Sequence, residues 1–364
     1  MNTSIITRAP MFAQSLTLLL LLSPAAAVAQ FADYQIPQIP YESVPNFLKY
    51  SPEMNLGEVL GVAVNSKGHI MVLNHPGSAS NGGPLYGNAT SQLFEFDANG
   101  YFVREIGQNV YGLGYSHSIR YDRYDNLWLV DKGANTAIKF DPAGYVTMNL
   151  GRRPEGFDEY EHRSGPDAVP VDGFFAGPSD VTWDADDNIY ISDGYLNSRV
   201  AKYDKHGNWI KTWGSYGTAP GQFNLLHSIA ADRQSNIYVA DRSNRRIQVF
   251  DTDGNLLRII VLNAPFDKSM QPILGNVNPN LPDATQPWFI CISPGEPQFL
   301  WAADQHPGRI YKLSLDGRIL GMLGSSGKQL GQFNWIHGID CSQEGVLYIA
   351  DLNNWRVQKL ILNP

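Results

Sequence analysis

Three of the eight histidines in this 364-residue chain recur at one interval, His117, His227 and His337 being 110 residues apart in turn. Each opens the same kind of phrase: HSIRYDRYDNLWLVDKGANTAIKFDPAG, HSIAADRQSNIYVADRSNRRIQVFDTDG and HGIDCSQEGVLYIADLNNWRVQKLILNP. Three imidazoles that converge and leave one position open make the ligand set of a catalytic zinc centre. A histidine at a strand start can equally be a hydrogen-bonded structural residue copied by duplication. Duplication alone does not explain why the repeats lying between these three lack it.

The phrases themselves read as short strands, with alternating apolar and β-branched residues between Asp, Asn, Gly and Ser clusters. Further copies begin at Ser179 (SDVTWDADDNIYISDGYLNSRVAKYDKHG), at Trp288 and at Leu60, which makes six repeats. The copies align on Asn74, Asp131, Asp193, Asp241, Asp304 and Asp351, the residues that end each second strand. Fourteen positions earlier stand Leu60, His117, Ser179, His227, Ile290 and His337. Six repeats of four short strands predict an all-β, six-bladed β-propeller. The histidines would then begin channel-lining strands of alternate blades, about 120° apart around the axis. Five repeats show a fourth strand, such as NWIKTWG, whereas the sixth ends at Pro364 without one. The N-terminal stretch FLKY (47–50) is the expected source of the missing strand, which would close the ring and remove an exposed edge.

Residues 1–29 read as a secretory signal: Arg8, the short apolar run SLTLLLLLS, and the small-residue site Ala27-Val28-Ala29. An uncleaved anchor is the alternative, but the run is shorter than the roughly 20 residues a span needs. The expected organisation is signal 1–29, an N-terminal segment with the ring-closing strand at 30–56, and the propeller at 57–364. The mature protein is expected in a secreted or periplasmic location, as a monomer, with no membrane segment after cleavage. A formal net charge of −8 without a Lys/Arg run argues against a nucleic-acid partner. The two cysteines, Cys291 and Cys341, lie in apolar strand-like runs, so a disulfide and two buried thiols both remain open. Long insertions at 75–90 and 152–177 read as lids or binding loops, or as tolerated surface loops. His69, His162, His206 and His306 do not share the phase of the three histidines, although His75 and His306 can reach a channel mouth.

Beyond the aligned aspartates, which read as turn-capping residues, the repeats diverge. Tyr195 (SDGYLNSR) and Arg242 (ADRSN) fall in the loops after the second strands of adjacent blades. Arg199, Arg246, Arg309 and Arg356 instead fill a recurrent slot and read as structural. A tyrosine base needs positive charge to lower a pKa near 10. From spacing alone Tyr195 is better explained by packing or substrate stacking than as a base.

These repeats resemble NHL repeats. From about Gly57 onward the chain is similar to the catalytic core of peptidyl-α-hydroxyglycine α-amidating lyase, most specifically over PSDVTWDADDNIYISDGYLNSRVAKYDKHGNWIKTWG and GQFNLLHSIAADRQSNIYVADRSNRRIQVF. The resemblance implies His117, His227 and His337 as zinc ligands, Tyr195 as base and Arg242 as its partner. Three positions depart from it. His75 stands where a second active-site arginine is expected, which makes Arg242 and His75 the expected substrate-binding pair. Gly338 replaces an aspartate that helps to bind structural calcium, leaving that ion doubtful, and Leu196 replaces a cysteine. The implied reaction splits a peptide or small molecule ending in α-hydroxyglycine into an amide and glyoxylate. Two other classes stay open: a non-catalytic NHL propeller that binds a peptide or glycan, and a calcium-dependent, lactonase-like propeller hydrolase. No phosphate loop, Ser-His-Asp signature or HExxH helix occurs.

Overall fold

The computed structural model describes residues 36–76, 91–110, 112–152, 169–264, 285–304 and 308–363. Over these the chain forms six four-stranded antiparallel sheets. Their innermost strands are Glu58–Val64, Ser116–Tyr121, Asp180–Trp183, Leu226–Ala231, Pro287–Ile292 and Ile336–Asp340, and each touches its two neighbours around a closed ring. This is the all-β six-bladed propeller expected from the repeats. The signal segment lies outside the described residues, as do most of the insertions at 75–90 and 152–177. Among the described residues no helix is long and apolar enough to cross a membrane.

The pattern of each strand follows from its distance to the axis. Second strands such as Ile237–Asp241 (IYVAD) are buried throughout because blades pack against both of their faces. Outer strands such as Trp209–Trp213 alternate between half-buried and exposed positions. Among the described residues a separate apolar cluster fills each of the six interfaces between blades, for example Val249 and Tyr238 against Tyr311 and Leu313. The first hairpin turn explains a recurring spacing. The Asp184 carboxylate accepts from the N–H groups of Asp186 and Asn188, while Asp187 takes a positive φ of 66°. Asp232, Gln234, Asn236 and Ser235 repeat that arrangement in the fourth blade.

Ring closure comes from the N-terminus, but earlier in the chain than FLKY suggests. Tyr41–Val44 pairs antiparallel with Arg356–Leu362 and completes the sixth blade. Lys49, within FLKY, instead bridges to Tyr101 at the outer strand of the first blade. Gln38 has already bridged to Met322 in the fifth blade. The segment therefore laces three blades together and covers edges that would otherwise stay open. Pairing selects Tyr41–Val44 because this four-residue run meets the last strand from Lys359 to Leu362, a register the apolar content of FLKY does not reveal. Cys291 and Cys341 form a disulfide between the inner strands of the fifth and sixth blades, resolving the open alternative.

Candidate metal centre in the central channel

Each of the three histidines occupies a β-bulge. The register skips His117 between Ser116↔Asp131 and Ser118↔Val130, and it skips His227 and His337 at the matching places. A bulge frees one residue from the ladder and re-aims its side chain, here into the channel. Leu60 and Trp288 occupy the same bulge in the first and fifth blades. The fifth-blade counterpart of the histidines is therefore Trp288 and not Ile290. Its first hairpin loop, between paired Ile292 and Leu300, is longer than that of the fourth blade, between Ala231 and Ile237, so a fixed count back from Asp304 falls short.

The blades without histidine have their own task. Nδ1–H of His117 donates to the Ser179 carbonyl at 2.7 Å, that of His227 to Trp288 at 2.7 Å, and that of His337 to Leu60 at 2.9 Å. A carbonyl only accepts, so each Nδ1 carries the proton and each Nε2 keeps its lone pair. Histidine blades thus alternate with carbonyl blades, which hold the rings. The ring centroids stand 4.7, 4.7 and 5.1 Å apart, and the three potential ligand atoms lie within 4.8 Å of one another. Burial, reinforced by neighbouring positive charge, holds His117 and His227 well below the ordinary histidine range. Burial drives His337 down to about 3.

Three buried neutral imidazoles that aim lone pairs at one another have no internal reason to be there. His227 Nε2 is buried without any partner. Such an orphan is costly unless something completes it, and a borderline divalent cation does so. The residues present fit a metal ion. A structural calcium does not fit in the same way. Gly338 offers no carboxylate, and a Cβ there would lie 3.2 Å from Leu60 O, Gly61 Cα and the Ala350 side chain. Further along the axis the space is crossed by Arg120, whose guanidinium bonds to Asp180, Ser228 and the Ile290 carbonyl.

Tyr195 joins the cluster through its loop, where its N–H donates to Gly177 O. Its hydroxyl donates to His117 Nε2 at 2.9 Å, and it also hydrogen-bonds the Arg242 guanidinium. Arg242 is pressed flat against Trp288, its guanidinium carbon 3.6 Å from the ring centroid. Burial pushes the Tyr195 phenol up to about 12 against the pull of Arg242. One guanidinium is therefore not enough to make a phenolate here, and a base at this position needs further positive charge beside it. His117, His337, Tyr195 and Arg242 line a cavity of about 360 Å³, together with Glu58, Tyr115, Lys132 and Trp335.

His75 takes a different place. It is fully buried behind Tyr115, with ring centroids 4.7 Å apart, and its Nε2–H donates to Ser116 O. Burial lowers its pKa to about 4, so it is neutral, and it does not line the cavity. Sequence reading missed Lys132, whose Nζ sits 3.6 Å over the Tyr195 ring. The signal was available, because Lys132 follows Asp131 as Arg242 follows Asp241. Trp288 and Trp335 were missed because their role depends on packing around the axis. The recurrent arginines are structural, as expected: Arg199, Arg246 and Arg356 pair with Asp193, Asp241 and Asp351.

The fold and this centre define a six-bladed propeller with a three-histidine cluster in its channel. No family model matches the chain. It is 27% identical over 326 residues to the peptidylglycine alpha-amidating monooxygenase of Rattus norvegicus, covering 84% of this chain and 30% of that protein. It is 26% identical over 217 residues to a probable peptidyl-alpha-hydroxyglycine alpha-amidating lyase of Caenorhabditis elegans, covering 55% of this chain and 57% of the relative. NHL repeat-containing protein 3 of Homo sapiens is 28% identical over 211 residues, covering 56% of this chain and 54% of that one. Two solved structures share the fold at 14% identity and a TM-score of 0.54. One is an inactive virginiamycin B lyase from Staphylococcus aureus with quinupristin, covering 90% of this chain and 99% of that one. The other is a gluconolactonase from Xanthomonas campestris, covering 94% and 99%. The chain is a six-bladed propeller similar to NHL repeat-containing proteins and to amidating lyases, and it spans less than a third of the rat relative's length.

Proposed function

We propose that this chain is a zinc-dependent carbon–nitrogen lyase that cleaves α-hydroxyglycine-type carbinolamides into an amide and glyoxylate. The observation that carries the reading is the juxtaposition of three convergent imidazoles with a half-buried tyrosine whose hydroxyl touches one of them at 2.9 Å. His117, His227 and His337 would hold the ion through Nε2, with the carbonyls of Ser179, Trp288 and Leu60 fixing the rings. When bound, zinc supplies Lewis acidity toward the substrate α-hydroxyl. Tyr195 takes the hydroxyl proton as general base. The electron pair left on oxygen forms the aldehyde C=O as the C–N bond breaks, and Tyr195 returns its proton to the departing amide nitrogen. Arg242 stabilises the phenolate from which Tyr195 starts and to which it returns after the second transfer.

Donor chemistry disfavours the calcium hydrolase reading. Calcium takes six to eight oxygen ligands, and Glu58 is the one carboxylate lining this cavity among the described residues. The non-catalytic reading leaves His227 Nε2 and the Tyr195 contact without a purpose. We place the enzyme outside the cytoplasm with residues 1–29 removed. The signal-like N-terminus and a disulfide, which persists in oxidising compartments, support that location.

The test is metal content of the purified mature protein beside His227→Ala, followed by glyoxylate release from a model α-hydroxyglycine peptide. About one zinc per chain is expected, lost in the variant together with turnover, and the mature mass should correspond to a chain beginning at Gln30. Zinc without glyoxylate would remove the substrate, and absence of zinc would remove the enzyme reading.

A further inference from the structure

The cavity carries an imbalance of charge. Lys132 and Arg242 both line it, and no carboxylate pairs with Lys132 among the described residues. Glu58, the one acid in the wall, is half-buried, and burial raises its pKa. Two cations that repel each other in a partly desolvated space are unfavourable unless an anion comes between them. The repulsion is visible in Lys132, which burial and then the Arg242 charge bring down to about 8.

The two cations also share an origin. Each is the residue that follows the aspartate closing a second strand, in the second and fourth blades. In the third blade that slot is Gly194, in the sixth it is Leu352, and in the first it is His75, neutral and behind the cavity wall. Lys132 Nζ lies over the face of Tyr195 at 3.6 Å and 5.6 Å from the Tyr115 ring, so its donors are free of carboxylates and within reach of the cavity.

We propose that Lys132 and Arg242 form a two-cation anchor for the carboxylate of a 2-hydroxy-acid end group, with Lys132 as the residue that selects an acid over its neutral analogue. An anion held between them presents the adjacent hydroxyl-bearing carbon to the imidazole cluster and to Tyr195. The proposal takes the reaction from the lyase reading above but does not need turnover to be tested. Lys132 is a binding residue here. A role confined to steadying the Tyr195 phenolate would give a different signature.

The experiment uses the mature, metal-loaded protein as wild type, Lys132→Met and Lys132→Arg. Calorimetry measures the affinity for glyoxylate, and steady-state kinetics compare an α-hydroxyglycine peptide with its methyl ester. Losing one charge-assisted contact should weaken glyoxylate binding about tenfold or more in Lys132→Met, and Lys132→Arg should restore most of it. KM for the acid should rise in Lys132→Met by a larger factor than KM for the ester. Unchanged glyoxylate affinity in Lys132→Met would overturn the proposal. An equal fall in kcat on acid and ester would also overturn it, by assigning Lys132 to Tyr195 alone. Failure of wild type to turn over either substrate would sink the lyase reading, while glyoxylate affinity would still decide the anchor.

Discussion

At one end of the channel Arg120 crosses the axis with all its neighbours satisfied. Its Nε and Nη2 grip the two oxygens of Asp180 at 2.9 and 2.6 Å, and Nη2 also reaches Ser228 Oγ and the Ile290 carbonyl. Asp180 in turn accepts from Ser228 and from the N–H groups of Val181 and Ile229. A few residues back along the same inner strands, the histidine end behaves in the opposite way. His227 Nε2 and Arg242 Nε are buried without partners, and Lys132 forms no ion pair among the described residues. Both ends place polar groups in a dry channel, where an unmade hydrogen bond costs about 1–3 kcal/mol. The closed network is a structural strut that ties four blades. The open one leaves a histidine cluster that could hold a metal ion, and unsatisfied groups of this kind concentrate at functional sites.

That contrast can be broken most sharply at Tyr195. Tyr195→Phe removes the hydroxyl and little volume, so turnover should fall by ~10²–10⁴-fold while bound metal and melting temperature stay near wild type. A large loss of stability with activity retained would make the histidine end structural too. At the opposite end the expectation reverses. Arg120→Ala leaves the buried Asp180 charge uncompensated and should destabilise the fold by about 3–5 kcal/mol in denaturant unfolding, with metal still bound. If this variant instead unfolded like wild type but lost metal, the two ends would be a single functional unit.

A smaller effect sharpens the same comparison through pH. Burial depresses the folded pKa of the histidines, to about 3 for His337, whereas the unfolded value is about 6.5. Between these values the unfolded chain binds more protons than the folded one. Stability from these groups is therefore present above about pH 6.5 and is lost as pH falls toward the folded pKa. Chelator-treated wild type should melt at progressively lower temperature from pH 7 to 4.5, and His337→Gln should show a shallower fall, by up to about 1.4 kcal/mol per pH unit. Parallel slopes would show that His337 is protonated in the folded state.

Much of the fold was legible because a propeller repeats its hydrophobic phrase, and six copies average out local ambiguity. The three histidines were legible for the same reason, being one position in one phase. Tyr195 and Arg242 emerged where repeats diverge. Lys132 stood in the same slot as Arg242 but carried no motif of its own, so only its place over Tyr195 gave it meaning. His75 shows the converse. It stands in the same slot as Lys132 and Arg242, yet it packs against Tyr115 outside the cavity lining and is neutral. The ring-closing strand was assigned to the right segment and to the wrong residues, because strand pairing is decided by the register against Arg356–Leu362 and not by local apolar content.

Composition, repeat number, the phase of His117, His227 and His337, and the positions of Tyr195 and Arg242 were determined by the sequence alone, since each is a pattern along the chain. Only the tertiary structure decided that the intervening blades hold the imidazoles through Ser179, Trp288 and Leu60, that Cys291 meets Cys341, and that Arg120 pairs with Asp180 while Lys132 has no acid partner among the described residues. Those outcomes depend on which groups are left without a partner once six sheets close. Closure brings together residues tens to hundreds of positions apart, a relation that no local pattern encodes.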